Sequence, residues 1–151
     1  MARHSTRFVN IEWNLQIAYT LTLTEFLTTF VSNSPLFGSV EAGDSLPYIP
    51  THQGSATLGA AYGDVDAAIV GSYVGKMRDL PGQGTIEPSA GTDDAWLVDA
   101  TLGYQVSRQG RVYFRADNLL GEEYIASRRP FGARPGKPRT YFIGYKHDFF
   151  D

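Results

Sequence analysis

Residues Asp117 to Asp151 read DNLLGEEYIASRRPFGARPGKPRTYFIGYKHDFFD, and the last part of this stretch decides the fold. Tyr141, Ile143, Tyr145, His147 and Phe149 alternate with Phe142, Gly144, Lys146 and Asp148, the period of two that an extended chain shows when its two faces meet different solvents. The apolar face is aromatic at both ends. Rings at the two ends of a strand of about 10 residues suit a lipid-facing barrel strand, where they sit at the headgroup level.

The same pattern recurs upstream. Val9, Ile11, Trp13, Leu15, Ile17 and Tyr19 alternate with Asn10, Glu12, Asn14 and Gln16, predicting a first strand over Arg7 to Ala18. A second is expected over Leu21 to Val31, where Leu21 and Leu23 fall out of phase with Phe26 and Phe30 and a bulge near Glu25 would reconcile them. Gly54 to Tyr62 and Val65 to Val74 flank a tight Gly63-Asp64 turn. Ala95 to Val106 sets Trp96, Val98, Ala100, Leu102 and Tyr104 against Asp99, Thr101 and Gln105, and Arg111 to Asn118 sets Val112, Phe114 and Ala116 against Arg111, Tyr113, Arg115 and Asp117. With the terminal strand this makes seven.

Connection lengths order them. The turns at Thr20, Gly63-Asp64 and Ser107 to Gly110 are short, whereas Ser32 to Gln53, Lys76 to Asp94 and Leu119 to Pro138 are long. Outer-membrane barrels have this asymmetry, with tight periplasmic turns and long outer loops, so the expected fold is an antiparallel meander whose last strand runs inward. The mean hydropathy of −0.22 fits, because only every second residue of such a strand faces lipid. The absence of cysteine excludes a disulfide scaffold and a thiolate metal site. Met1 to Thr6 leads into no apolar signal core, so the expectation is a chain whose amino-terminal part is missing.

The closing stretch carries a family resemblance. Asp117-Asn118-Leu119-Leu120, Glu123-Tyr124, Pro135-Gly136-Lys137-Pro138-Arg139-Thr140 and a final aromatic-ended strand resemble, in that order, the carboxyl end of the TonB-dependent receptors of outer membranes, in the branch that takes ferric citrate or siderophores. Leu46-Pro47-Tyr48-Ile49-Pro50 is similar to segments that precede a strand in the same receptors. The resemblance implies the last seven strands of a barrel of about 22, all of residues 1–151 belonging to that barrel, with the plug domain and remaining strands absent. It also implies an outer-membrane location, uptake of an iron chelate or similar solute, and contact with the TonB complex through the missing part. The barrel-assembly machinery would read Tyr145 and Phe149, with Phe150 turned to the lumen and Asp151 trailing into the periplasm.

Residues that could carry chemistry are few. Arg128, Arg129, Arg134, Lys137 and Arg139 gather in the last loop and its exit, where guanidinium groups suit an anionic chelate; the alternatives are lipopolysaccharide phosphates or plug carboxylates. Asp93-Asp94 and Glu122-Glu123 are solvated loop carboxylates, and Arg111, Arg115, Asp99 and Asp117 form a lumen-side charge ladder. His4, His52 and His147 are scattered, and no nucleophile set, phosphate-binding glycine loop, cofactor motif or nucleic-acid surface is present. Two other readings compete: a complete barrel of about eight strands with a structural or adhesion role, and an outer-membrane enzyme with its site at the loop rim.

Overall fold

The computed structural model describes residues 2–8, 10–34 and 37–149, the first of these segments by its backbone alone. Seven long strands form one sheet: β1 (Ala2–Phe8), β2 (Ile11–Leu21), β5 (His52–Tyr62), β6 (Val65–Val74), β7 (Ala95–Gln105), β8 (Gly110–Asp117) and β11 (Thr140–His147). Each pairs antiparallel with its neighbour in sequence order, the expected meander. Four short strands, β3 (Phe30–Val31) with β4 (Ser39–Val40) and β9 (Ile125–Ser127) with β10 (Arg134–Pro135), lie within the loops.

The amino-terminal part differs from expectation. Instead of one strand over 7–18, two strands meet in a hairpin whose register closes at Phe8↔Ile11, beside Asn10 at a φ of +63°. Val9 lies outside the described residues, as do Phe150 and Asp151. Thr20 is no turn but the tenth residue of β2, and Leu21 to Val31 is no wall strand. No bulge at Glu25 is needed, because the ladder continues only to Thr22, whose N–H donates to the Thr51 carbonyl at 2.9 Å. Beyond it Phe26 exchanges backbone bonds with Gly43 and Asp44, and its ring meets Phe30 and Phe37 at 5.6 and 5.9 Å. Phe26 and Phe30 of this run therefore join a ring cluster within a loop, while Leu23, Leu27 and Val31 stay exposed. At the other end β11 stops at His147, while the Asp148 N–H still donates to the Gln109 carbonyl at 2.8 Å.

The register sorts the side chains into two faces. One row runs Leu15, Leu58, Ile69, Ala100, Ala116 and Tyr141; the adjacent row on the opposite face runs Asn14, Gly59, Ala68, Thr101, Arg115 and Phe142. The apolar face carries aromatic residues at both edges. Tyr19, Tyr73 and Trp96 share a row through Gly54, and Tyr62, Tyr104 and Tyr145 share another. The rows are eight residues apart along β5. At about 3.4 Å per residue and a tilt of about 40°, that spacing gives roughly 20 Å of height, close to the apolar band of about 25 Å that barrels present to lipid.

Such a sheet has almost no interior. Val40, Ala95 and Ala116 are the buried apolar side chains among the described residues, while Leu58 is 49% and Ile69 54% exposed in the middle of their strands. Apolar residues left open in this regular array are placed for hydrocarbon rather than for a water-excluding core. In a closed barrel carrying this wall, Leu58→Arg is expected to destabilise folding into lipid vesicles by about 2–4 kcal/mol, whereas Thr57→Arg on the opposite face should cost under about 1 kcal/mol. Urea titration of both variants checks the sidedness, and equal costs would contradict it.

Candidate functional site at the long-loop end of the sheet

The last long loop is tied at its base by the residues that end β8. Asp117 and Asn118 are each 2% exposed, and Asn118 adopts a left-handed φ of +48°. The Asp117 carboxylate accepts from Arg115 Nε at 2.5 Å and from Lys137 Nζ at the far end of the loop. Asn118 closes the same gap: its Nδ2 donates to the carbonyls of Glu122 and Lys137 at 2.8 and 2.9 Å, and its Oδ1 accepts the Glu122 N–H at 2.8 Å. Its own N–H donates to Asp99 Oδ1 at 2.8 Å, and the Leu119 N–H to the Val98 carbonyl at 2.7 Å, which joins the knot to β7. The Asp-Asn pair is thus a structural clasp.

Above this clasp the three long loops brace one another. Tyr48, at a φ of +57°, holds its hydroxyl where it accepts from the Arg128 and Arg129 N–H groups at 3.2 and 2.9 Å. Its own N–H donates to the Arg78 carbonyl at 2.9 Å, so one residue links all three loops. Arg128 donates from Nε to Gly91 and from Nη2 to Pro88 carbonyls, at 2.5 and 2.7 Å, and Arg129 Nε lies 3.5 Å from the buried Asp79. The Ile125 N–H reaches Asp93 Oδ2 at 2.8 Å.

The expected ligand cations therefore divide. Arg128, Arg129 and Lys137 hold protein partners, and Lys137 also lies 5.3 Å from the centroid of the Phe142 ring. Arg134 is exposed, with a single long bond of 3.3 Å to the Arg129 carbonyl. Tyr48, Asp79 and Asn118 carry no charge-cluster signal in the sequence; the Pro-flanked segment Leu46-Pro47-Tyr48-Ile49-Pro50 is the mark that Tyr48 leaves there.

The lumen face repeats the pattern of paired charge. Arg111 crosses β7 to meet Asp66 on β6 at 2.6 Å, passing over Gly103, where a Cβ would push the guanidinium from its present position. Arg111 and Arg115 thus pair with Asp66 and Asp117, while Asp99 serves the Asn118 backbone. At the inner end of β11, Tyr145 and His147 stack at 6.1 Å and Phe149 meets His147 edge-on at 4.7 Å, one aromatic column on the apolar face. Among the described residues no three His, Asp or Glu side chains converge as a metal site.

Comparison with known proteins gives this wall its family. A family profile described as TonB dependent receptor-like, beta-barrel, matches residues 5–119. The chain belongs to the TonB-dependent receptors. It is 35% identical over 108 residues, 68% of its length, to the catecholate siderophore receptor Fiu of Escherichia coli K12, with the same values for the O157:H7 protein. The chain spans only 14% of the length of these relatives. Among solved structures it resembles the closed form of the ferric-catecholate import receptor Fiu from E. coli K12, with a TM-score of 0.69 and 25% identity over 89% of this chain and 18% of that one. The open form shows the same fold at a TM-score of 0.57, covering 90% and 21%. The sheet is accordingly an arc of an outer-membrane TonB-dependent receptor barrel.

Asn118→Ala removes three buried side-chain hydrogen bonds at about 1 kcal/mol each. It is expected to destabilise the last loop by roughly 3 kcal/mol in the full-length receptor, read as faster cleavage within 120–138 by an added protease. A cleavage rate equal to that of the unaltered protein would contradict the clasp.

Proposed function

We propose that this chain forms the carboxyl-terminal third of a receptor wall whose plug and remaining strands lie outside residues 1–151, and that the whole receptor imports an iron chelate of the catecholate class. The observation that carries this reading is the 35% identity to catecholate siderophore receptors, which runs over 108 residues. The exposed Arg134 supplies a cation for such an anionic chelate at the mouth, while Arg128, Arg129 and Lys137, engaged by protein partners, hold the loop that presents it. The TonB complex engages the part beyond this chain, and the barrel-assembly machinery engages the Tyr145 and Phe149 end of β11. Lipopolysaccharide meets the outer aromatic edge formed by Tyr19, Tyr73 and Trp96.

The test is growth of an iron-starved outer-membrane receptor knockout carrying the full-length gene, with a ferric catecholate as the sole iron source. Growth that disappears when TonB is deleted is the expected result. Growth that is independent of TonB, or no growth on the catecholate by a receptor shown to be folded at the surface, would contradict the reading.

A further inference from the structure

The first two outer loops, residues 22–51 and 75–94, meet over a cleft of about 220 Å³ lined by Thr22, Thr51, Lys76, Arg78, Ile49 and Ile86, among others. Its base is the top of the wall, since the Thr22 to Thr51 backbone bond is the rung beyond the Leu21↔His52 pair. Thr22 shares parity with Asn14 and Thr20, and Thr51 with Ser55 and Thr57, on the lumen face, while Lys76 stands at the rim just past the end of β6. The cleft therefore opens toward the channel and away from lipid. Directly below it Thr20, Gln53, Ser55 and Ser72 line the wall beside Ala18 and Val74.

The cations are set differently from those of the last loop. Arg78 is fixed at both ends: its carbonyl accepts from Tyr48, its backbone bridges Gly91, and its Nη2 donates to the Gly84 carbonyl. Lys76 has only a loose pairing with Asp94 at 3.7 Å and a side chain 57% exposed. Two cations and threonine hydroxyls beside isoleucine side chains suit a group that is flat and apolar across its faces and carries anionic oxygens at its edge. The size limits what enters, because pockets enclosing a whole drug-sized ligand measure roughly 300–1,000 Å³. One ring fits; a complete chelate does not.

The geometry points to a subsite for a single aromatic, oxyanion-bearing arm of the iron chelate, its ring on Ile49 and Ile86 and its oxygens on Lys76 and Arg78. This rests on the catecholate reading above and adds to it the arm and the residues that hold it. Phosphates of lipopolysaccharide carry similar oxygens, but they would approach the opposite face of the sheet.

The experiment is calorimetric titration of the full-length receptor in detergent with the ferric complex of 2,3-dihydroxybenzoate. Lys76→Glu is expected to weaken binding about tenfold, the loss of one charge-assisted contact. Ile49→Trp, which fills the cleft without changing charge, should do the same. Lys76→Ala serves if the glutamate variant fails to show the heat-modifiable mobility of a folded barrel. If the unaltered receptor binds the complex and the folded variants bind it equally well, the subsite is overturned while the uptake reading stands. If the unaltered receptor does not bind it at all, the catecholate reading falls and the subsite with it.

Discussion

The backbone ladder is the interaction on which everything else here depends. In hydrocarbon an unpaired amide finds nothing to bond to, so each strand must pair on both sides and the sheet must continue around a closed circle. Given that ladder, side chains need not pack against one another to hold the fold. They are released to meet two different surroundings, which is why Leu58 and Thr57 can be neighbours in sequence with opposite chemistry. The same logic explains why polar contacts concentrate where the ladder ends. At Asp117 and Asn118 the last wall strands part, and side chains take over the work of the missing rungs.

Period-two alternation made the wall legible, and it also caused one of two misplacements. A hairpin closing at Phe8↔Ile11 passes from one strand to the next within two residues, so nothing in the alternation of Ile11, Trp13 and Leu15 announces where the previous strand ended. The turn lacks the Asn-Gly or Asp-Gly pair that marks most such hairpins, and only Asn10 with its positive φ betrays it. Conversely, the threonines and phenylalanines of 22–31 have the composition of a strand, but Phe26 and Phe30 are spent on a ring cluster inside a loop and Thr24 and Thr29 on accepting loop N–H groups. The two errors offset, which kept the strand number and the inward direction of β11 intact.

The mouth was less legible because its contacts are long-range and have no period. The resemblance carried by Asp117 to Leu120 and Pro135 to Thr140 was visible, yet that its two halves clasp each other through Lys137 and Asn118 depends on a loop closing over about twenty residues. A cluster of arginines reads from sequence as a charged surface. In the structure Arg128 and Arg129 instead satisfy carbonyls and a carboxylate of other loops, around a Tyr48 hydroxyl some eighty residues away. Charge in a loop thus reports on ligand only after its protein partners have been found.

If the wall draws its stability from lipid, lumen and neighbouring strands, residues 1–151 in water should have no cooperative fold of their own. The direct measurement is calorimetry and sedimentation of the isolated chain refolded into aqueous buffer without detergent. The account predicts aggregates with no cooperative thermal transition, because both sheet edges and the entire apolar face are left open. A soluble monomer that melts in a single cooperative transition would show that the chain buries a core sufficient to itself, and would contradict the two-solvent wall.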